Sequence, residues 1–431
     1  MDAGRRNDGG MTDPSHGSKP LRVLLSEGSS TSAREAITAL GLKGHIVEVC
    51  DPSPVCLGRF SRFVRRFHRC PGLRDDPAGY LSFVEKLLAK RPFDVLLPVH
   101  EQGFVFARVK GRFETRVGLA LPAFENYRTA HSKAGFSRLL DELRLPQPAT
   151  RIVTSPSGLR EAVRFPCVVK TAIGTASRRI WFVRDEAALT MALQELGAMD
   201  AFADEVLVQD LAAGATEKAQ AIFSHGRLLG FHAYRQIAAG AGGGEAIKQS
   251  VRRPKLRADV ATIGERLGWH GALSVDIIMQ DEGSHLFIDC NPRLVEPMSA
   301  YLAGLDLVDL LLRVSDGEMP SAAADSREGV QTHLAMQVLL GCAVRGGTRR
   351  EIFRECIGVA ARRGPYTDSV EELTPVRRDW VGAVPLVMTA LALFADPRLA
   401  GTLSKKGWGA HLLGIDSIRL IESENFSQVD A

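Results

Sequence analysis

Nothing in this 431-residue chain supplies the covalent scaffolding of a small secreted domain. Its cysteines, Cys50, Cys56, Cys70, Cys167, Cys290, Cys342 and Cys356, are odd in number, scattered and never spaced C-x-x-C. That pattern argues against a disulfide framework or a thiolate zinc site and fits reduced, mostly buried thiols in a cytoplasmic protein. An excess of one charge is also missing: 54 Lys and Arg stand against 50 Asp and Glu, too even a balance to mark a nucleic-acid binder. The apolar stretch Trp380 to Ala395 falls short of the roughly 20 residues that cross a bilayer and reads as a buried helix with Pro385 near its first turns. Residues 1–20 lack the apolar core of a secretory signal and read as a disordered tail, with Met11 as an alternative start to Met1. The turn around Gly28 lacks G-x-G-x-x-G and reads as structural. With no G-x-S-x-G and no convincing Cys-His arrangement, the sequence offers no side-chain nucleophile.

What is present is an ordinary globular composition, 45% hydrophobic and 24% charged, long enough for two or three domains. The apolar strand Leu21 to Leu25, a helical stretch Ala33 to Leu40 and a second strand His45 to Val49 make a β-α-β opening. A helix over Tyr80 to Ala89 leading to a strand over Asp94 to Pro98 continues the alternation of a parallel sheet covered by helices. Between them, Arg59 to Arg74 interleaves arginines with Phe60, Phe63 and Phe67. The phenylalanines are expected in the core, with the arginines solvated or gripping an anion. From Leu121 the texture changes: a helix with apolar residues Phe136, Leu139, Leu140 and Leu143 ends before Pro146 and Pro148. Hairpins follow, Cys167 to Lys170 with Ile180 to Val183 and Ala219 to Phe223 with Leu228 to Tyr234. The expected fold class is α/β followed by α+β, with a Rossmann-like domain over 21–120, a domain of antiparallel sheets over 121–320 and a mainly helical region over 321–431.

The chemistry concentrates in LSVDIIMQDEGSHLFIDCNPR, residues 273–293. Two alternating apolar runs flank a polar turn, a hairpin signal. A turn centred between Glu282 and Gly283 sets Asp276 opposite Asp289, and Asn291 falls on the same face two residues later. Facing carboxylates repel unless a cation or proton lies between them. With no His or Cys on that face, the three oxygen-bearing side chains suit a hard cation, Mg²⁺ before Zn²⁺. Lys170 ends an apolar strand and precedes the small-residue turn Thr171 to Ser177, whose backbone N–H groups could cradle phosphate. Lys133 starts a helix, where a ligand anion also meets the favourable end of the dipole.

The order of these parts, specific over Pro122 to Arg293, resembles the ATP-grasp superfamily of carboxylate-amine ligases. SKAGFSRLLDELRLPQP matches the family's first phosphate-binding lysine, implicating Lys133. FPCVVK matches its strand-terminal lysine, implicating Lys170, with Gly174 in the following loop. VLVQDLAAG looks like the adenine strand, so Gln209, Asp210 and Leu211 would meet the base mainly through backbone groups, with Glu217 in the place of the ribose acid. The metal-binding set falls on Asp276, Asp289 and Asn291, and the phosphate-contacting arginine on Arg293. Arg235 and the segment Gly240 to Ser250 fall where such proteins close over substrate. The resemblance implies ATP with Mg²⁺, Mn²⁺ being an alternative, and small carboxylate and amine substrates joined through an acyl phosphate. It leaves a homodimer open and calls for neither nucleic acid nor membrane. Departures are a loop after Lys170 with few glycines, and Asp289 where glutamate is commoner. His100, Glu101, Arg235 and Arg252 are candidate substrate contacts. The rival readings are a bicarbonate-activating carboxylase and a nucleotide-binding regulatory protein.

Overall fold

The computed structural model describes residues 19–174, 179–281, 283–373, 377–404, 409–424 and 426. Strands β1 (Arg22–Leu25), β2 (Ile46–Asp51), β3 (Val64–Arg69) and β4 (Val95–Leu97) form a parallel sheet in the order β3-β2-β1-β4. β1 and β4 read as continuous apolar runs because helices such as Thr31–Leu42 and Leu307–Ser315 cover the sheet, as parallel sheets require. Gly28 is a packing glycine: a Cβ there would lie 2.7 Å from Val49 Cγ1. The arginine-rich stretch is the edge strand β3, and Phe60, Phe63 and Phe67 are only half-buried, not core as expected. An edge strand has neighbours on one side, so Arg59 and Arg62 shield Phe67 and Phe63 instead.

A second, antiparallel sheet orders β5 (Thr150–Val153), β6 (Cys167–Thr171), β7 (Ile180–Val183) and β8 (Val206–Asp210) as β5-β8-β6-β7. The third sheet comprises β9 (Ala215–Ser224), β10 (Arg227–Ala239), β11 (Glu245–Val251), β12 (Gly271–Asp281), β13 (Ser284–Asn291), β14 (Gln331–His333) and β15 (Ser369–Glu371). Its order is β13-β12-β9-β10-β11-β14-β15. Both expected hairpins form, β6 with β7 and β9 with β10.

Past residue 320 the chain is mainly helical, but not separate from the rest. β14 and β15 extend the large sheet. The helix Ala383–Ala395 is not buried as expected: Val387, Met388 and Leu391 are exposed and Leu393 is its fully buried residue. A single helix can bury only the stripe that meets a neighbour, here the helices Ala335–Val344 and Arg349–Ala361.

The final segment returns to the first domain. His411 Nε2 lies 3.0 Å from Asp51 Oδ2, which also accepts from Gly28 N at 2.9 Å and Ser29 Oγ at 2.8 Å. Glu27 stands beside them and accepts from the Ser29 and Ser30 backbone N–H groups. Among the described residues this is the one compact grouping of metal-ligand types, and its oxygens are already engaged by protein donors. Burial alone would lower the His411 imidazole, but the hydrogen bond to Asp51 and the charges of Glu27, Asp51 and Glu101 outweigh it and raise it above its ordinary value. A raised histidine stabilises the fold fully below the unfolded pKa near 6.5, and the contribution is lost as pH rises through the folded value. His411→Gln should therefore lower the unfolding free energy by about 2 kcal/mol at pH ~6. Denaturant titrations should show that gap narrowing toward alkaline pH; a gap independent of pH would contradict a charged His411–Asp51 pair.

Candidate active site

The two antiparallel sheets, connecting segments of the first domain and the C-terminal helices surround a cavity of about 990 Å³. Its chemical centre is the β12–β13 hairpin, where Asp276 pairs directly with Asp289 as the turn position requires. Two offsetting bulges, between Asp276 and Ile277 and between Met279 and Asp281, lie on the turn side of this pair. Glu282 itself is outside the described residues. Asn291 lines the same cavity, and Arg293 Nη2 reaches its Oδ1 at 3.3 Å.

Two lysines arrive from other elements. Lys133 begins the helix Lys133–Leu143, which Ser132 caps by accepting from Gly135 N at 3.2 Å; such a cap contributes roughly 1 kcal/mol. The Lys133 backbone N–H is fixed on Ala172 O at 2.8 Å, and its Nζ lies 3.2 Å from Asp289 Oδ1 and 2.5 Å from Gly174 O. Lys170, buried in β6, donates to Ile288 O at 3.0 Å. Burial pushes its ammonium down to about 8, against the pull of Asp289, so an incoming anion would restore charge stabilisation that the protein alone does not supply. Gly174 contributes its carbonyl to Lys133, while Thr175 to Ser177 of the expected phosphate turn, with Arg178, lie outside the described residues.

On the neighbouring strand Lys218 pairs with Asp276 and forms a 2.5 Å ion pair with Glu245. Burial first, and then the charges of Asp289 and Glu245 against the opposing Lys218, hold the Asp276 carboxyl above its usual range. A buried carboxylate that also faces other carboxylates is a place where added positive charge is favoured. With the amide of Asn291 and no His or Cys in the set, these donors fit a hard divalent cation.

At the other end of the cleft, Gln209 lines the cavity and its Nε2 donates to Thr150 Oγ1 at 2.9 Å. Asp210 and Leu211 also line it, with Asp210 paired to Arg151 at 2.9 Å. Two expectations are corrected by strand parity. Glu217 and Arg235 are direct cross-strand neighbours, one position out of phase with Lys218, which pairs with Asp276. Their side chains therefore leave the sheet on its other face: Glu217 is bound by Arg253 at 2.6 Å and Arg235 by Gln249. Arg252 is exposed and outside the cavity lining, and Glu101 instead accepts from Leu413 N. His100 does line the cavity. Most of the stretch expected as a closing loop is strand β11, leaving only Gly240 to Gly244 as a connection.

Sequence reasoning missed Lys218, Glu245, Lys248 and Glu296. Lys248 is buried, 2.5 Å from Glu296 and 2.8 Å from Glu372. Glu296 also accepts from Thr31 Oγ1 at 3.0 Å and holds a left-handed φ of 54°, a conformation that costs a non-glycine residue about 1 kcal/mol and clusters at functional sites. Alternation along β9 carried a signal for Lys218, since Lys218 and Gln220 share a face. Which strand lies beside it was not readable.

Two antiparallel sheets thus close on a cleft that holds basic residues and a paired-acid hairpin. Residues 130–297 match the family model described as the ATP-grasp domain. The fold resembles the biotin carboxylase domain of 2-oxoglutarate carboxylase from Hydrogenobacter thermophilus, solved with MgADP, ADP and bicarbonate. That match has a TM-score of 0.58 and 14% identity over 73% of this chain and 74% of that one. It also resembles carboxyaminoimidazole ribonucleotide synthase from Aspergillus clavatus complexed with ATP (0.56, 14%, 72% and 80%). A third likeness is to L-amino acid ligase from Bacillus licheniformis (0.53, 16%, 70% and 76%). In sequence, an 89-residue stretch is 30% identical to pyruvate carboxylase 1 of Caenorhabditis elegans, covering 20% of this chain and 8% of that protein. No helix among the described residues is long and apolar enough to cross a membrane.

If Lys170 meets phosphate and Arg235 does not, Lys170→Met should weaken ADP binding about 30-fold, near 2 kcal/mol, while Arg235→Ala changes it less than about twofold. Calorimetric titration of ADP into both variants checks this, and equal losses would contradict the assignment by sheet face.

Proposed function

We propose that this protein is an ATP-dependent carboxylate-amine ligase that works through an acyl phosphate and releases ADP and phosphate. The observation that carries the reading is the convergence of Lys133 and Lys170 on the Asp276–Asp289 pair, with Arg293 reaching the neighbouring Asn291. That arrangement suits phosphoryl transfer by positioning and charge neutralisation. Gln209, Asp210 and Leu211 would border the base. Lys133 and Lys170 would take phosphate oxygens, and Arg293 the transferring phosphoryl group. Asp276, Asp289 and Asn291 would hold Mg²⁺, which when bound supplies charge neutralisation at the phosphates.

A substrate carboxylate oxygen attacks the γ-phosphorus as the bond to the ADP oxygen breaks. The amine nitrogen then attacks the acyl carbon, phosphate leaves, and the nitrogen gives up a proton. No protein nucleophile is needed. Cys56, the cavity-lining cysteine among the described residues, has its thiol pushed up to about 12 by burial, far from the thiolate that covalent catalysis uses. The Ser29, Asp51 and His411 cluster has the aspartate in the middle, so the imidazole is placed against a carboxylate and not against the hydroxyl it would have to activate.

ADP and phosphate release from Mg-ATP, measured against pooled carboxylates with and without pooled amines, tests the reading. Release should need both pools and fall by at least about a thousandfold in Asp289→Ala. Release with bicarbonate and no amine would favour the carboxylase chemistry named in some structural relatives, and nucleotide binding without release in any pool would favour a regulatory role.

A further inference from the structure

The cavity is larger and more two-sided than a nucleotide site alone requires. At about 990 Å³ it stands at the top of the ~300–1,000 Å³ range of small-ligand pockets. Its charged lining residues come from the two antiparallel sheets and the stretch that follows β13. The remaining wall comes from residues 29–32, 53–60 and His100 of the first domain and from residues 336–404 of the C-terminal part, and among the described residues the lining of segments 53–60 and 336–404 carries no charged side chain. Met336 and Leu340 stand one turn apart on the helix Ala335–Val344, with Pro385 and Leu403 beside them, and Leu57 and Phe60 line the cavity from the first domain. Val55, also in this lining, is 72% exposed.

This wall is tied to the catalytic sheet. Gln337 Oε1 accepts from Ala241 N at 2.9 Å, and Gly240 N donates to Gly244 O at 2.8 Å. A Cβ on Gly240 would meet Gln337 Oε1 at 2.6 Å and one on Gly244 its Nε2 at 2.7 Å, so a larger residue at either position would displace the Gln337 side chain from this contact. A charged group placed against Met336, Leu340, Leu57 and Phe60 would lose hydration and gain no ionic partner from them, whereas an alkyl or aryl group would gain by leaving water.

Resting on the ligase reading, we infer that one of the two substrates joined at this site carries an uncharged apolar group, and that the C-terminal helices with segment 53–60 form the annex that selects it. The C-terminal region is thus a specificity element, not an appendage to the nucleotide-binding fold.

The test uses the full chain with Mg²⁺ and a non-hydrolysable ATP analogue. It measures binding of n-alkylamines and n-alkanoates from ethyl to octyl, with the matching diamines and dicarboxylates as polar-ended controls. Affinity in at least one series should rise about fourfold per methylene until the annex fills, with no such rise for the controls. Met336→Gln and Leu57→Asn, both at half-buried lining positions, should each flatten that dependence, with ADP affinity as the check on folding. No chain-length dependence in either series, undetectable binding included, or a dependence unchanged in both variants, overturns the annex. The ligase reading fails separately: alkyl chains that bind while no acid–amine pair releases ADP would refute it and leave the annex standing. ADP release from polar pairs with flat chain-length profiles would do the reverse.

Discussion

Two carboxylates placed face to face across an antiparallel ladder, Asp276 and Asp289, set the constraint on which the cleft is built. Directly paired residues lie only about 5 Å apart at Cβ, so their mutual repulsion must be met by positive charge or by a proton. The fold brings that charge from three separate elements: Lys133 from a helix start, Lys170 from β6 and Lys218 from β9. Lys218 is itself shared with Glu245, and Lys170 is weakened by burial, so the compensation is partial. What is left is negative charge on the acids that a hard cation would neutralise, and buried positive charge on Lys170 that a polyphosphate would meet.

The same constraint explains why so much of the chain converges here. Lys170 is held by the carbonyl of Ile288, next to Asp289, which joins the small sheet to the large one. Glu296 reaches Thr31 of the first domain and Lys248 of β11, and Lys248 reaches Glu372 near β15. Burial and the charge of Glu296 raise the Glu372 carboxyl against the pull of Lys248, while that lysine holds Glu296 low. Buried ion networks of this kind are weak sources of net stability but strong constraints on relative position. They fix the first domain, the large sheet and the C-terminal part around one cavity.

Much of this was legible from local pattern. Alternation on both sides of a polar turn located the hairpin, and counting outward from the turn paired Asp276 with Asp289, because strand pairing is an arithmetic relation once the turn is known. The two bulges left the outcome intact since they offset each other. Placement that depends on distant partners was not legible. Parity along β9 and β10 would have separated Glu217 from Lys218 and Arg235 from Tyr234, but which face turns to the cleft is decided by the neighbouring β12. The helix Ala383–Ala395 reads as core by composition, yet only one stripe of it finds a neighbour. Nor did any local signal show that Met336, Leu340 and Pro385 would line one cavity with Leu57 and Phe60, or that β14 and β15 would extend the main sheet.

The central claim, that Asp276 and Asp289 form a cation-dependent nucleotide site, is tested most directly by the affinity for ADP with Mg²⁺ and with a chelator. The comparison should be made in the wild type, in Asp276→Asn and in Asp289→Asn. The account predicts that Mg²⁺ tightens ADP binding at least about tenfold in the wild type, near 1.4 kcal/mol, and has almost no effect in either variant. Equal ADP affinity with and without Mg²⁺ in the wild type, or a magnesium effect that survives both substitutions, would contradict it.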